Sequence, residues 1–129
     1  MISLKSATLA LMPFAVMSLG CERQVSFRDD VHPMLEQNCV SCHSPGGQGY
    51  AASGFSVVSY QGVMKGTRYA AVVVPGDSAG SLLLRLIQHQ SDPSIAMPKS
   101  HQQGAPADWL TPGQIALIAT WIDQGAKDN

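Results

Sequence analysis

Residues 39–43 carry the chemistry most readily read from this chain: Cys39-Val40-Ser41-Cys42-His43 is a C-x-x-C-H motif. Two thiols three positions apart on one turn can each add across a vinyl group of a haem, while the adjacent imidazole reaches the iron. Three bonds then fix one face of the porphyrin. Other uses of the cysteine pair ask for partners that the pattern lacks. Structural zinc takes four Cys or His ligands, usually from a second close pair, and no second C-x-x-C occurs. A thioredoxin-like redox pair follows a strand within a β-α-β pattern, which this sequence does not show. A disulfide between Cys39 and Cys42 would close a very short loop and leave His43 without a role. The expected cofactor is one covalent haem c, bonded at Cys39 and Cys42, with His43 as the proximal iron ligand.

The second axial position has several candidates. Met97 leads, in Ile95-Ala96-Met97-Pro98, because Pro98 has no donor and favours an extended residue before it. A thioether on such a stiff loop can approach the iron from the face opposite His43; its other reading is as a core filler. His89 and His101 are the alternatives, since two histidines can also ligate one haem; otherwise they are exposed loop residues. Met34 lies too close to the motif and is expected in the core, and Met64 falls between Gly62 and Gly66 in an expected loop. His32, beside Pro33, reads as structural. Lys65, Arg68 and Arg85 are candidates for haem propionate contacts, against the plainer reading of a solvated surface.

These residues sit in a chain of 129 residues that starts with a targeting-type segment. Met1–Ser6 carries one cation, Lys5, ahead of an apolar run Ala7–Leu19 too short to span a bilayer. Residues 1–20 are read as a signal peptide, which implies export to a bacterial cell envelope or periplasm. Gly20 before Cys21 resembles a lipoprotein processing site, making Cys21 a lipidation site and membrane anchor; cleavage by an ordinary signal peptidase is the alternative. Residues 21–25 are then a short linker and 26–129 one domain. The composition, 45% hydrophobic and 13% charged, belongs to a folding chain. A net charge of −1 offers no basic field for phosphates, so nucleic acid is not an expected partner.

The elements that must position the motif read as helices joined by irregular loops, an all-α class. Ser26 followed by Asp29 is a capping box for a first helix with Phe27, Val31 and Leu35 on one face; Pro33 either opens that helix or follows a short turn that breaks at His32. Gly46 to Gly54 reads as a flexible stretch, Phe55 to Tyr60 as an extended or turn segment, and Val72–Val74 as the other strand-like run. Ser78 or Ser81 caps a helix carrying Leu82, Leu83, Leu86 and Ile87. The last helix is the clearest: Thr111 caps, Pro112 opens, Gln114 completes a capping box, Ile115, Ile118, Trp121 and Ile122 recur at helical spacing, and Gly125 stops it. Trp121 is expected in the core, with this helix packed on the first. The polar stretch 88–108 is the loop presenting Met97.

Several of these segments together resemble one family. Phe27-Arg28-Asp29-Asp30-Val31-His32-Pro33-Met34-Leu35 before Cys39, then Val74-Pro75-Gly76-Asp77, Ser81-Leu82, Met97-Pro98 and Trp121-Ile122-Asp123-Gln124-Gly125-Ala126, are similar to the planctomycete-type cytochrome c domain over residues 25 to 129. The resemblance implies a class I-like monohaem fold, with N- and C-terminal helices crossing beside a covalent haem and a loop-rich middle. It implies haem attachment at Cys39 and Cys42, His43 as proximal ligand and Met97 as distal ligand. An iron saturated by His and Met ligands carries single electrons, and Met favours the ferrous state. Redox proteins that dock weakly and briefly are the expected partners. Two other classes are set against this reading: a haem enzyme or gas sensor with an open sixth site, and an interaction module within a surface electron-transfer complex.

Overall fold

The computed structural model describes residues 22–97 and 110–129. The leader 1–20, Cys21 and residues 98–109, His101 among them, lie outside the described residues. Among the described residues the regular elements are helices, with no strand. They are a π-helical turn Phe27–Val31, α1 His32–Asn38, α2 Gln48–Ser53, α3 Tyr60–Lys65, α4 Leu82–Ile87 and α5 Pro112–Asp123. The all-α, cytochrome c-like expectation holds. No helix among these residues is long and apolar enough to cross a membrane.

The first helix starts as the sequence suggests but one residue out of register. Ser26 Oγ accepts the Asp29 N–H at 3.1 Å, whereas the carboxylate that returns to the Ser26 N–H belongs to Asp30, at 2.8 Å, and not to Asp29. The cause is a widened turn, in which the Val31 N–H reaches the Ser26 carbonyl and the His32 N–H the Phe27 carbonyl. Pro33, in the first turn of α1, lacks an N–H, and its ring crowds the carbonyl four residues back; a π turn ahead of it relieves that crowding.

Helix α5 forms as expected, with the Thr111–Gln114 capping box closed in both directions and Pro112 in the first turn. It buries Ile118, Trp121 and Ile122, each fully burying side chain contributing about 1.5–3 kcal/mol. These meet Val25, Phe27, Val31 and Leu35 of the N-terminal segment in one core. Gly125, at φ 99°, turns the chain out of the helix, and the Trp121 indole donates to the Lys127 carbonyl at 3.0 Å. The two ends are then laced together. Val25 N–H donates to Gln124 Oε1, Gln124 Nε2 donates to the Arg23 carbonyl, and the Asn129 carbonyl accepts from both Ser26 Oγ and the Arg28 N–H. Arg23 and Val25, within the segment 21–25 read as a short linker, are thus tied through backbone groups to Gln124 and Asn129 beyond α5.

The middle is more helical than expected. The glycine-rich stretch contains α2, anchored by the Tyr50 N–H to the Cys42 carbonyl at 2.9 Å. Met64 lies in α3, not in a loop; Ser59 caps this helix by accepting the Gly62 N–H, and Gly66 at φ 77° ends it. Val72 and Val73 are buried without forming a strand: the Val72 carbonyl accepts the Leu83 N–H of α4 at 2.9 Å. Ser81 stands at the N-terminus of α4, yet its buried hydroxyl does not cap it. Instead Ser81 Oγ accepts the Val74 N–H and donates to the Asp77 carbonyl, both at 2.8 Å, while Ser78 binds Asp123 of α5.

Candidate functional site

The C-x-x-C-H motif continues directly from α1. The Cys39 N–H donates to the Leu35 carbonyl at 2.8 Å, and the Cys39 carbonyl in turn accepts from the Cys42 and His43 N–H groups at 3.2 and 2.8 Å. One helical turn thus carries both thiols and the imidazole, since three- and four-residue bonds from a single carbonyl hold their backbones together. Neither cysteine is in a disulfide, and both are half-buried. Burial pushes the Cys39 thiol up to about 11, with Cys42 adding to the effect.

His43 is set by the segment that follows. Its carbonyl accepts the Val57 N–H at 2.9 Å, and the Phe55 ring meets the imidazole edge-on with centroids 5.3 Å apart. Gly49, in α2, lies directly against the ring. Burial holds the imidazole below its ordinary value of 6.5, toward the neutral form that ligates metals; the Phe55 backbone works the other way without closing a hydrogen bond on Nδ1. Nδ1 is buried and has no hydrogen-bond partner.

These features fit a haem better than a bare ion. A bare ion needs three or four ligands converging on one point, and among the described residues no group of three His, Cys, Asp or Glu does so. A covalent haem makes different demands: two sulfurs at the ring edge and one neutral imidazole beneath the iron, all from one rigid turn. Bound there, the group would supply one-electron chemistry between ferric and ferrous iron.

The structure brings Cys39, Cys42 and His43 together and leaves the other candidates on separate elements. Met97 is half-buried, and its N–H donates to the Leu86 carbonyl at 3.1 Å, so it is fastened to α4. His89 closes the turn after α4 with a positive φ of 56°. Met34 and Met64 pack against the core, and His32 donates through Nε2 to the Val58 carbonyl at 3.1 Å. The three cations divide between two cavities. Lys65 and Arg68 line one of about 370 Å³ with Tyr50, Gly54, Gly66 and Thr67. Arg85 lines another of about 510 Å³ beside Ser78 and Ala119. Arg68 also donates to the Tyr50 and Ala51 carbonyls, tying it to α2. The part played by α2 around His43 was not legible beforehand, although the three glycines so soon after the motif are the signal of close backbone approach.

Comparison with known families agrees with the geometry. Residues 39–101 match the family described as Planctomycete cytochrome C, whose members imply covalently bound haem c and electron transfer. No curated protein and no solved structure matches the chain. Over residues 39–101, from the Cys39–His43 turn onward, the chain is similar to a planctomycete-type cytochrome c domain.

Proposed function

We propose that the protein is an exported electron carrier with a single haem, bonded at Cys39 and Cys42 and ligated by His43 and Met97. The observation that carries this reading is the turn closed on the Cys39 carbonyl, which presents two thiols and a neutral imidazole from one rigid unit. His43, whose buried Nδ1 has no protein hydrogen bond, would hold the iron from one side, and Met97, fastened to α4, would supply a thioether from a second segment. Such a pair would leave no coordination site for oxygen or peroxide, so the group held there would serve one-electron exchange. The surrounding core excludes water from the ring, and partners are redox proteins that dock transiently. The leader-like residues 1–20 support export to the periplasm, and Cys21 supports a lipid anchor to the membrane.

The test is an optical spectrum of the mature protein, made with a c-type maturation system, in both oxidation states and with carbon monoxide. A low-spin haem with the weak near-infrared iron–sulfur band and no carbon monoxide response is the expected result. A high-spin or carbon monoxide-reactive spectrum would reassign the site to catalysis or sensing, and a protein without covalent haem would overturn the reading altogether.

A further inference from the structure

We propose that Gly49 is a positioning residue for His43: the side chain it lacks leaves the space in which the imidazole stands, and its backbone stops the ring on that side. This rests on the haem reading above and concerns how the proximal ligand is aimed. A methyl group built on Gly49 would lie 2.6 Å from His43 Cε1 and 2.9 Å from both ring nitrogens. Those are overlaps, since carbon contacts are most favourable at about 3.5–4.0 Å. An unattached imidazole could swing away from such a methyl group. A ring bonded to iron, on a turn bonded to the same haem through two thioethers, has no such freedom.

The backbone does not explain glycine at this position. Gly49 is absent from the described glycines with positive φ and lies inside α2, where alanine is the better helix former. What the site requires is the missing side chain. The backstop is also held in place: Tyr50 N–H is bonded to the Cys42 carbonyl at 2.9 Å, and a methyl group on Gly47 would stand 2.7 Å from the Cys42 carbonyl carbon. Loop and motif are therefore in close backbone contact on both sides of Gln48, and the loop cannot retreat from the ring without breaking that bond. Phe55, buried and edge-on to the imidazole, is a further neighbour of the ring.

The test compares four haem-matured proteins: the parent, Gly49→Ala, Gly113→Ala and Ala52→Gly. A methyl group on Gly113 meets nothing nearer than 3.9 Å, and Ala52→Gly weakens α2 at an exposed position without touching the ring. The readouts are covalent haem per chain, the electron paramagnetic resonance g-values of the ferric protein, which report imidazole orientation, and the midpoint potential. The expected result is that Gly49→Ala alone shifts the g-values and the potential. Loss of the holoprotein in Gly49→Ala, with the other two variants intact, supports the proposal equally. Gly49→Ala indistinguishable from Gly113→Ala would overturn it, and so would equal damage from Gly49→Ala and Ala52→Gly, which would show that α2 matters only as a helix. A parent without covalent haem would remove the functional reading itself, an outcome distinct from any of these.

Discussion

Phe27 and Trp121 stand ring against ring, centroids 5.4 Å apart and planes tilted by 41°, joining the first turn of the fold to its last helix. Both are buried, and Tyr60 meets Phe27 edge-on at 5.2 Å. Truncating either ring removes contacts that the chain ends share. Phe27→Ala and Trp121→Ala should each cost about 3–5 kcal/mol. The double variant should lose less than the sum, because both singles delete one contact. Urea unfolding of the three variants measures this, and strict additivity would show that the rings act independently.

Thr111→Ala opens the capping box of α5 and should cost about 1 kcal/mol. Gln114→Ala removes only the returning half of the box, in which Gln114 Oε1 accepts the Thr111 N–H at 2.8 Å, and should cost less. Thermal unfolding of both variants gives the order; a larger loss from Gln114→Ala would contradict it.

Ser81→Ala should destabilise the protein by about 1–3 kcal/mol, the penalty of leaving a buried polar group unpaired. Its hydroxyl is fully buried and serves the Val74 N–H and the Asp77 carbonyl. Ser78→Ala, on the exposed side of the same loop, should cost less despite losing its bond to Asp123. Chemical denaturation of the pair decides between them.

Asp30 gives the fold an acid-sensitive point. The Ser26 N–H, followed by the Arg23 guanidinium at 2.8 Å, holds its carboxyl below the ordinary value of 3.8. A carboxylate lowered in the folded state stabilises it above that ordinary value, and the contribution fades as pH falls toward the lowered one. Asp30→Asn should therefore be less stable than the parent at neutral pH, with the gap closing below about pH 4. Stability curves from pH 2 to 7 check the sign; a gap that widens in acid would refute it.

Met97→Ala should keep covalent haem, lower the midpoint potential and admit carbon monoxide to the reduced iron, because a thioether ligand favours the ferrous state. Redox titration and carbon monoxide difference spectra provide the measurement. An unchanged near-infrared band would show that another residue ligates the iron.

How much of this was legible in the sequence follows from where each element gets its stability. Helix α5 carries its own instructions, a cap, a box, a helical apolar period and a stop glycine, so it could be read directly. The motif was legible for the same reason: its chemistry is local in sequence. Helices α2 and α3 are six residues each and contain Gly49 and Gly62, which weaken helix propensity. They exist because distant groups hold them: Cys42 and Arg68 for α2, and core burial of Val63 for α3. Val72 and Val73 illustrate the opposite case, β-branched residues that suit a strand but are buried outside one, with the Val72 carbonyl bonded to the N-terminus of α4. The shift from Asp29 to Asp30 at the first cap turned on which carboxylate the Ser26 N–H met, a choice made by the widened turn ahead of Pro33.

The lacing of residues 23–28 to Gln124 and Asn129 limits how the protein could move on a membrane. With Arg23 already fastened, an anchor at Cys21 would have only Glu22 as its leash, a reach of about 7 Å. A domain moored so closely can spin and drift with its lipid but cannot swing across a gap. Electrons would have to be handed over by partners that come alongside, which favours donors and acceptors resident at the same surface.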